Sequence, residues 1–417
     1  MRAAAHSARR LLFIKGGTMR KFTALMSAFM LLCCSAACAE GDYESLCALA
    51  APYGFRLGSC LSYNQLTDQK YLNLLKTHFN SVTMTNEMKA YSMLDEQASK
   101  RAADGMPVIN FRMADAMVGW AQQNGLGVRG HVLVWDANMV DWYFHEGFDR
   151  NKPYADQETI QKRTEYYIRQ VITHFEEKFP GVVYCWDVVN EAIGDSAGEY
   201  RPGDPTHLRT LRSGADNLFL KYMGEDYVAL SFLYARNTVE ALGADIDLYY
   251  NDYNMFFADK ANAAVKLLER VNTFAPDGQG GYRKLADGIG MQGYIGGYGT
   301  QQGCLEEDHL NLIKNAILNY ASHGLKVQIT EMAVRNFERD QAEKHAAYYA
   351  RLFQVFKALH TAEGNPLNCV AIWGLTDYPH VPKGNYLYNL NSPYGGLVDE
   401  NLNYKDAFAR VYEELKK

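Results

Sequence analysis

A single-domain (β/α)8 barrel is the architecture the sequence predicts, on three observations. From residue 55 onward, short apolar runs rich in Val, Ile and Tyr alternate with longer segments of helical periodicity. Eight such runs are present, and their near-continuous apolar character is that of parallel strands covered on both faces. The runs also end repeatedly on polar residues, as strands do when their C-terminal ends carry the chemistry.

The runs are 55–62 (FRLGSCLS), 79–87 (FNSVTMTNE), 126–135 (LGVRGHVLVW), 182–191 (VVYCWDVVNE), 245–252 (DIDLYYND), 288–294 (GIGMQGY), 326–334 (KVQITEMAV) and 369–377 (CVAIWGLTD). Between them the apolar spacing predicts helices over 66–77, 113–123, 158–179, 225–242, 259–273, 306–323 and 338–360, with a last helix over 405–415. An open doubly wound sheet is the alternative, but no Gly-rich phosphate loop follows an early strand. No linker, low-complexity tract or internal repeat marks a second domain.

With 417 residues, 48% of them hydrophobic, the chain can bury a core of barrel size. The net charge of -6, spread without long runs, leaves no footprint for nucleic acid or an anionic membrane. A neutral or small partner fits better.

Residues 19–39 have the order of an export signal: Arg20 and Lys21, an apolar stretch from Leu25 to Leu32, then Ala36, Ala37 and Ala39. The stretch is too short for an integral anchor in the mature chain. Met19 is the expected start, an unusually long leader being the alternative. Cleavage after Ala39 is expected, leaving residues 40–417 as the catalytic barrel; lipidation at Cys38, holding the protein at an outer surface, is the other reading. A secreted or periplasmic protein follows. Cys47, Cys60, Cys185, Cys304 and Cys369 then remain, an odd number, with no zinc-site spacing. Cys47 and Cys60 are candidates to pair; Cys185 and Cys369, inside apolar runs, read as buried thiols.

The expected strand ends carry Asn86-Glu87, Trp135-Asp136, Asn190-Glu191, Asn251-Asp252, Gln292, Glu331 and Asp377. Glu191 and Glu331 are the strongest candidates for chemistry, because they end the fourth and seventh runs, which a closed barrel can bring across its mouth. Two carboxyl groups suffice to cleave an acetal between sugars: one protonates the leaving oxygen while the other stabilises or attacks the anomeric carbon. The two roles need different pKa values.

These residues carry a nameable resemblance. Trp186-Asp187-Val188-Val189-Asn190-Glu191 with Ala192 resembles the acid/base signature of glycoside hydrolase family 10, known for endo-β-1,4-xylanases, and Ile329-Thr330-Glu331 is similar to its nucleophile signature. Asn86-Glu87-Met88-Lys89, Arg129-Gly130-His131, Asn251-Asp252-Tyr253-Asn254, Gly288 to Gly293 and Trp373-Gly374 match in order. The resemblance implies Glu191 as acid/base, Glu331 as nucleophile and Asn190 as holder of a sugar 2-hydroxyl. It places Asn86, Lys89, His131, Trp135, Gln292 and Trp373 along the glycone half of a cleft; Asn138 and Tyr253 are taken as further substrate contacts.

The match departs from the family around the glycone. Where the family has a His bonded to the nucleophile and an Asp supporting that His, this chain has Tyr294 and Ala333. A tyrosine hydroxyl donating to Glu331 would keep the carboxylate ionised, so activity is expected. Thr85, Ala90, Asp136 and His380-Val381 replace a Glu, a Trp, a His and a Ser-Trp pair, which suggests a roomier glycone site. The stretch from residue 194 to 218 is long for the fourth loop and is expected to add a wall on the aglycone side.

The reading is a retaining endo-β-1,4-xylanase acting on xylan or xylo-oligosaccharides, without metal or organic cofactor and as a monomer. A retaining β-glycosidase shifted towards decorated xylan oligosaccharides or β-glucan is the runner-up, and a carbohydrate-binding barrel that has lost catalysis the third.

Overall fold

A computed structural model describes residues 43–194, 207–212, 214–296, 305, 307–362, 365–378 and 392–417. Eight parallel strands form the frame: β1 (Arg56–Leu61), β2 (Ser81–Met84), β3 (Gly127–Val134), β4 (Val183–Asn190), β5 (Asp247–Asp252), β6 (Gly288–Met291), β7 (Lys326–Val334) and β8 (Leu367–Ile372). Each pairs with the next in sequence, and β8 pairs back on β1, so the sheet closes and has no edge along this ring. The predicted barrel is the observed one.

Helices follow the strands: α1 (Gln69–His78), α2 (Arg112–Gln123), α3 (Gln157–Lys178), α4 (Tyr227–Leu242), α5 (Ala258–Asn272), α6 (Glu307–Ser322), α7 (Ala342–Ala358) and α8 (Asp406–Lys416). In α3, Ile160, Thr164, Tyr167, Ile168, Val171, Ile172 and Phe175 recur at helical spacing and are all buried against the sheet. Its start is fixed by Asp156, whose carboxylate accepts from the Thr159 N–H at 2.7 Å. Asp68 caps α1 in the same way, accepting from the Tyr71 N–H at 3.0 Å. Among the described residues no helix is long and apolar enough to cross a membrane.

Strand packing is tight enough to dictate residue type. A Cβ on Gly130 of β3 would lie 2.3 Å from the Trp186 ring on β4, so only glycine lets that fully buried indole lie flat on the neighbouring strand. Towards the N-terminal end the barrel interior holds a polar layer rather than more aliphatic side chains. There Arg129 donates to both carboxylate oxygens of Asp187, at 2.7 and 3.2 Å, and His131 shares Asp187 with it. Burial pushes the Asp187 carboxyl up, but the Arg129 guanidinium and His131 outweigh it and hold Asp187 below the usual carboxylate value.

Two local expectations change. The eighth strand ends at Ile372, five residues before Asp377, because the chain turns out of the sheet after Trp373. Cys47 and Cys60 are not bonded: Cys47 contacts the Ser45 hydroxyl at 3.1 Å, whereas Cys60 lies in β1 and its thiol faces the Trp373 carbonyl at 3.6 Å. Cys185 and Cys369 are buried free thiols, as expected; Cys304, His380, Val381 and the leader lie outside the described residues.

Candidate active site

Glu191 stands one residue beyond β4 and Glu331 is the sixth residue of β7, so the closed ring brings both to its C-terminal mouth. Backbone hydrogen bonds lock this register. The Glu191 N–H donates to the Asn251 carbonyl at 2.9 Å, Gln292 N–H to the Asp252 carbonyl at 3.0 Å, and Glu331 N–H to the Gln292 carbonyl at 2.9 Å. Each of the pairings β3–β4, β4–β5 and β7–β8 has one register shift towards these ends, at His131/Val134, Asp187/Val189 and Ile329/Met332, where one extra residue re-aims the side chains. Glu191 itself has φ +53, a left-handed conformation that a non-glycine residue holds only when its surroundings fix it.

One continuous hydrogen-bond chain joins the two carboxyls. Gln292 Nε2 donates to Glu191 Oε1 at 2.9 Å and lies 3.4 Å from Asn190 Oδ1. Asn251 Nδ2 reaches that same Asn190 oxygen at 2.9 Å and Glu331 Oε1 at 3.2 Å. Thr330 then fixes the Asn251 amide by donating to its Oδ1 at 2.7 Å. Asn190 Nδ2 is buried and finds no partner among the described residues, an open donor beside the carboxyl pair.

The second oxygen of each carboxyl has its own donor. The Tyr294 hydroxyl donates to Glu331 Oε2, as the sequence suggested, from a two-residue strand (Tyr294–Ile295) on which Tyr294 pairs with Ala333. Arg212 Nη1 donates to Glu191 Oε2 at 2.8 Å. Arg212 is held by Asp136, to which its Nε and Nη2 both donate at 3.0 Å. It sits on a short hairpin (Leu211–Arg212 with Ala215–Asp216) in the long fourth loop, which also runs back along Ala192 to Gly194.

Burial, first of all, and then the Asp252 charge lift the Glu191 carboxyl to about 7, against the Arg212 guanidinium and the Gln292 amide; Glu331 adds to the lift. Asp252 is fully buried, with an ion pair to Lys260 at 2.8 Å and a hydrogen bond from Tyr250 at 2.5 Å. The mouth therefore concentrates acidic groups around Glu191.

The remaining predicted residues distribute around this pair. Lys89 Nζ donates to Asn86 Oδ1 at 3.2 Å and lies 5.1 Å from the Trp135 ring centre. Burial lowers the Lys89 pKa, with Glu331, Glu191 and Glu87 opposing. His131 is buried, its Nδ1 2.9 Å from Asp187 and its ring 6.1 Å from Trp135. The Trp135 indole N–H is buried without a partner among the described residues, a second open donor. Trp373 follows β8 and is half-buried.

Two predicted contacts stand differently. Tyr253 is engaged with protein groups: its hydroxyl accepts from Arg209 at 3.1 Å and its ring lies 3.9 Å from Lys260 Nζ. Asn138 closes the 3-10 turn Asp136–Asn138, whose first residue holds Arg212. Ala90 is buried at the start of the short helix Ala90–Met93. Sequence reasoning did not single out Asn251, Asp252 or Arg212 as site residues. Asn251 and Asp252 were visible as a polar strand end; for Arg212 the signals were the long fourth loop and an unexpected acid at Asp136. Among the described residues no group of His, Cys, Asp and Glu is arranged to hold a metal.

A closed parallel barrel whose mouth holds two buried glutamates on one hydrogen-bond chain defines the chain as a glycoside hydrolase. Its residues 45–414 match the profile of Glycosyl hydrolase family 10, and the chain belongs to that family. It is 33% identical over 333 residues to a putative endo-1,4-beta-xylanase of Caldicellulosiruptor saccharolyticus, covering 77% of this chain and 95% of that protein. It is 32% identical to endo-1,4-beta-xylanase A of Thermotoga neapolitana, of which it spans 27%. Among solved structures, the CBM22-1–GH10 modules of Clostridium thermocellum xylanase 10B, complexed with xylohexaose, superpose with a TM-score of 0.73 at 25% identity, covering 88% of this chain and 67% of that one. The endo-1,4-beta-xylanase of Caldicellulosiruptor owensensis gives 0.68 at 27%, covering 88% and 99%.

Proposed function

We propose that the chain is a retaining endo-β-1,4-xylanase in which Glu331 is the nucleophile and Glu191 the acid/base. The observation that carries this is the hydrogen-bonded link between two carboxyls at the barrel mouth, of which Glu191 is lifted to about 7 by burial and the neighbouring acids.

In the first step a Glu331 oxygen attacks the anomeric carbon, the glycosidic C–O bond breaks, and Glu191 gives its proton to the leaving oxygen. The carboxylate charge on Glu331 is thereby consumed, and Glu191 becomes a carboxylate that no longer faces it. In the second step water attacks the same carbon, its proton passes to Glu191, and the bond to Glu331 breaks. The free Asn190 amide donor is the group that holds a hydroxyl of the attacked sugar, while Asn86, Lys89, His131, Trp135, Gln292 and Trp373 provide donors, acceptors and flat apolar faces for the glycone.

The names of the xylanase relatives support xylan as substrate. The basic, apolar and small-residue order of residues 20–39 supports export of the enzyme. Reducing-sugar release from linear xylan, arabinoxylan, glucuronoxylan, mixed-linkage glucan and cellulose tests the reading, with Glu331→Ala as control. Xylan cleavage that vanishes in the control is expected. Cleavage surviving in Glu331→Ala refutes the nucleophile assignment, preferential glucan cleavage refutes the substrate, and binding without cleavage refutes the enzyme.

A further inference from the structure

The fourth loop makes a contact that the two-carboxyl mechanism does not require. Arg212 uses one edge of its planar guanidinium, Nε and Nη2, on Asp136, at 3.0 Å to each oxygen. Two parallel bonds of this kind fix a guanidinium in plane and direction. What remains is aimed at Glu191: Nη1 at Oε2, 2.8 Å away, and Nη2 at the Glu191 carbonyl, 3.0 Å away. Arg209 supports the same carbonyl at 3.3 Å. With Gln292 on Oε1, both side-chain oxygens of Glu191 accept hydrogen bonds. Both oxygens of a carboxylate accept strongly, whereas the hydroxyl oxygen of a carboxylic acid is a weak acceptor, so two such donors favour the ionised form.

We propose that Arg212, anchored by Asp136, is a positioning residue for Glu191 that favours its ionised form, the form that must take a proton from water in the second half-reaction. This rests on Glu191 being the acid/base. The charged groups around Glu191 make the need plain. Asp252 from β5 and Glu331 from β7 disfavour its ionisation; Arg209 beside Arg212 on the fourth loop, Lys89 from the segment after β2 and Lys260, paired with Asp252, are the other cations among the described residues, while Asp136 offsets part of the arginine charge. Arg212 opposes the burial and the neighbouring acids that raise this carboxyl. The two partners come from different parts of the chain, the anchor Asp136 from the turn after β3 and the arginine from the fourth loop.

The test is a pair of pH profiles on the full chain. The basic limb of kcat/KM on linear xylan reports the acid form of Glu191. With an aryl β-xylobioside whose phenol leaves without a proton, turnover is limited by the second half-reaction, and its acidic limb reports the base form. Arg212→Met is expected to move both limbs to higher pH by about one unit, as loss of an adjacent cation does, while Arg212→Lys moves neither by half as much. If Arg212→Met fails to fold, Arg212→Gln, which can still donate to Asp136, carries the same expectation. A variant whose rates fall while both limbs stay in place overturns the role of Arg212. Retention of xylan activity in Glu191→Ala would instead show that the acid/base assignment beneath it is wrong.

Discussion

Tyr294 donates its phenolic hydrogen bond to Oε2 of Glu331 from a strand that pairs with β7 two residues beyond that carboxylate. Pairing Tyr294 with Ala333 places a long side chain opposite a short one. Removing that hydroxyl by Tyr294→Phe deletes a hydrogen bond to a charged group, worth about 1.5–3 kcal/mol. The expected outcome is a loss of roughly 10- to 100-fold in kcat/KM. Steady-state kinetics across pH decide it; an unchanged profile removes Tyr294 from the mechanism.

Glu191 should set the alkaline boundary. Its carboxyl is raised to about 7, and it must carry a proton to assist departure of the leaving sugar. Hydrolysis of xylan therefore declines as pH rises through 7, and the midpoint is read directly from kcat/KM against pH. In Glu191→Ala the loss should be about 10²- to 10⁴-fold on xylan and much smaller for the first half-reaction of an aryl xylobioside with an acidic phenol.

The same shift has a stability consequence of definite sign. A carboxyl whose folded value lies above its unfolded value stabilises the fold below the unfolded pKa and loses that contribution as pH rises through the folded one. From an ordinary value of 4.5 to about 7, the loss corresponds to about 3 kcal/mol. Glu191→Gln, which mimics the neutral acid, should thus melt higher than wild type at pH 8 and no higher at pH 4. Calorimetry at both pH values measures this, and a lower Tm at pH 8 would contradict it.

Gly290 offers a test of the hydrogen-bond chain from behind. A Cβ there would sit 2.3 Å from Asn251 Oδ1 and 2.9 Å from the Thr330 methyl. Gly290→Ala should cost about 1–3 kcal/mol of stability through overpacking. It should also lower kcat more than it raises KM, because the amide it displaces touches both Asn190 and Glu331. A variant with normal kcat would show that the Asn251 bridge is dispensable.

The barrel was legible because each strand is buried on both faces and therefore reads as an unbroken apolar run, bounded by helices whose buried faces recur at helical spacing. Glu191 and Glu331 stood out because an acid at the end of such a run has no packing role. Arg212 did not stand out, since its two partners are Asp136, 76 residues away, and Glu191, 21 residues away, and nothing local announces either pairing. The role of Asn251 was hidden for a related reason: an amide at a strand end is unremarkable until the register places it between Asn190 and Glu331. The separation of Cys47 and Cys60 also depends on the third dimension, because β1 turns the Cys60 thiol towards Trp373.

Every described donor to the Glu331 side chain, Asn251 and Tyr294, comes from the frame of the sheet. The carboxyl of Glu191 instead shares its donors between the frame, through Gln292, and a surface insertion, through Arg212. The two reactive groups are thus open to change on different terms. Altering the partners of Glu331 means recutting the barrel, whereas those of Glu191 can be exchanged by grafting one loop together with residue 136, leaving the rest of the enzyme as it stands.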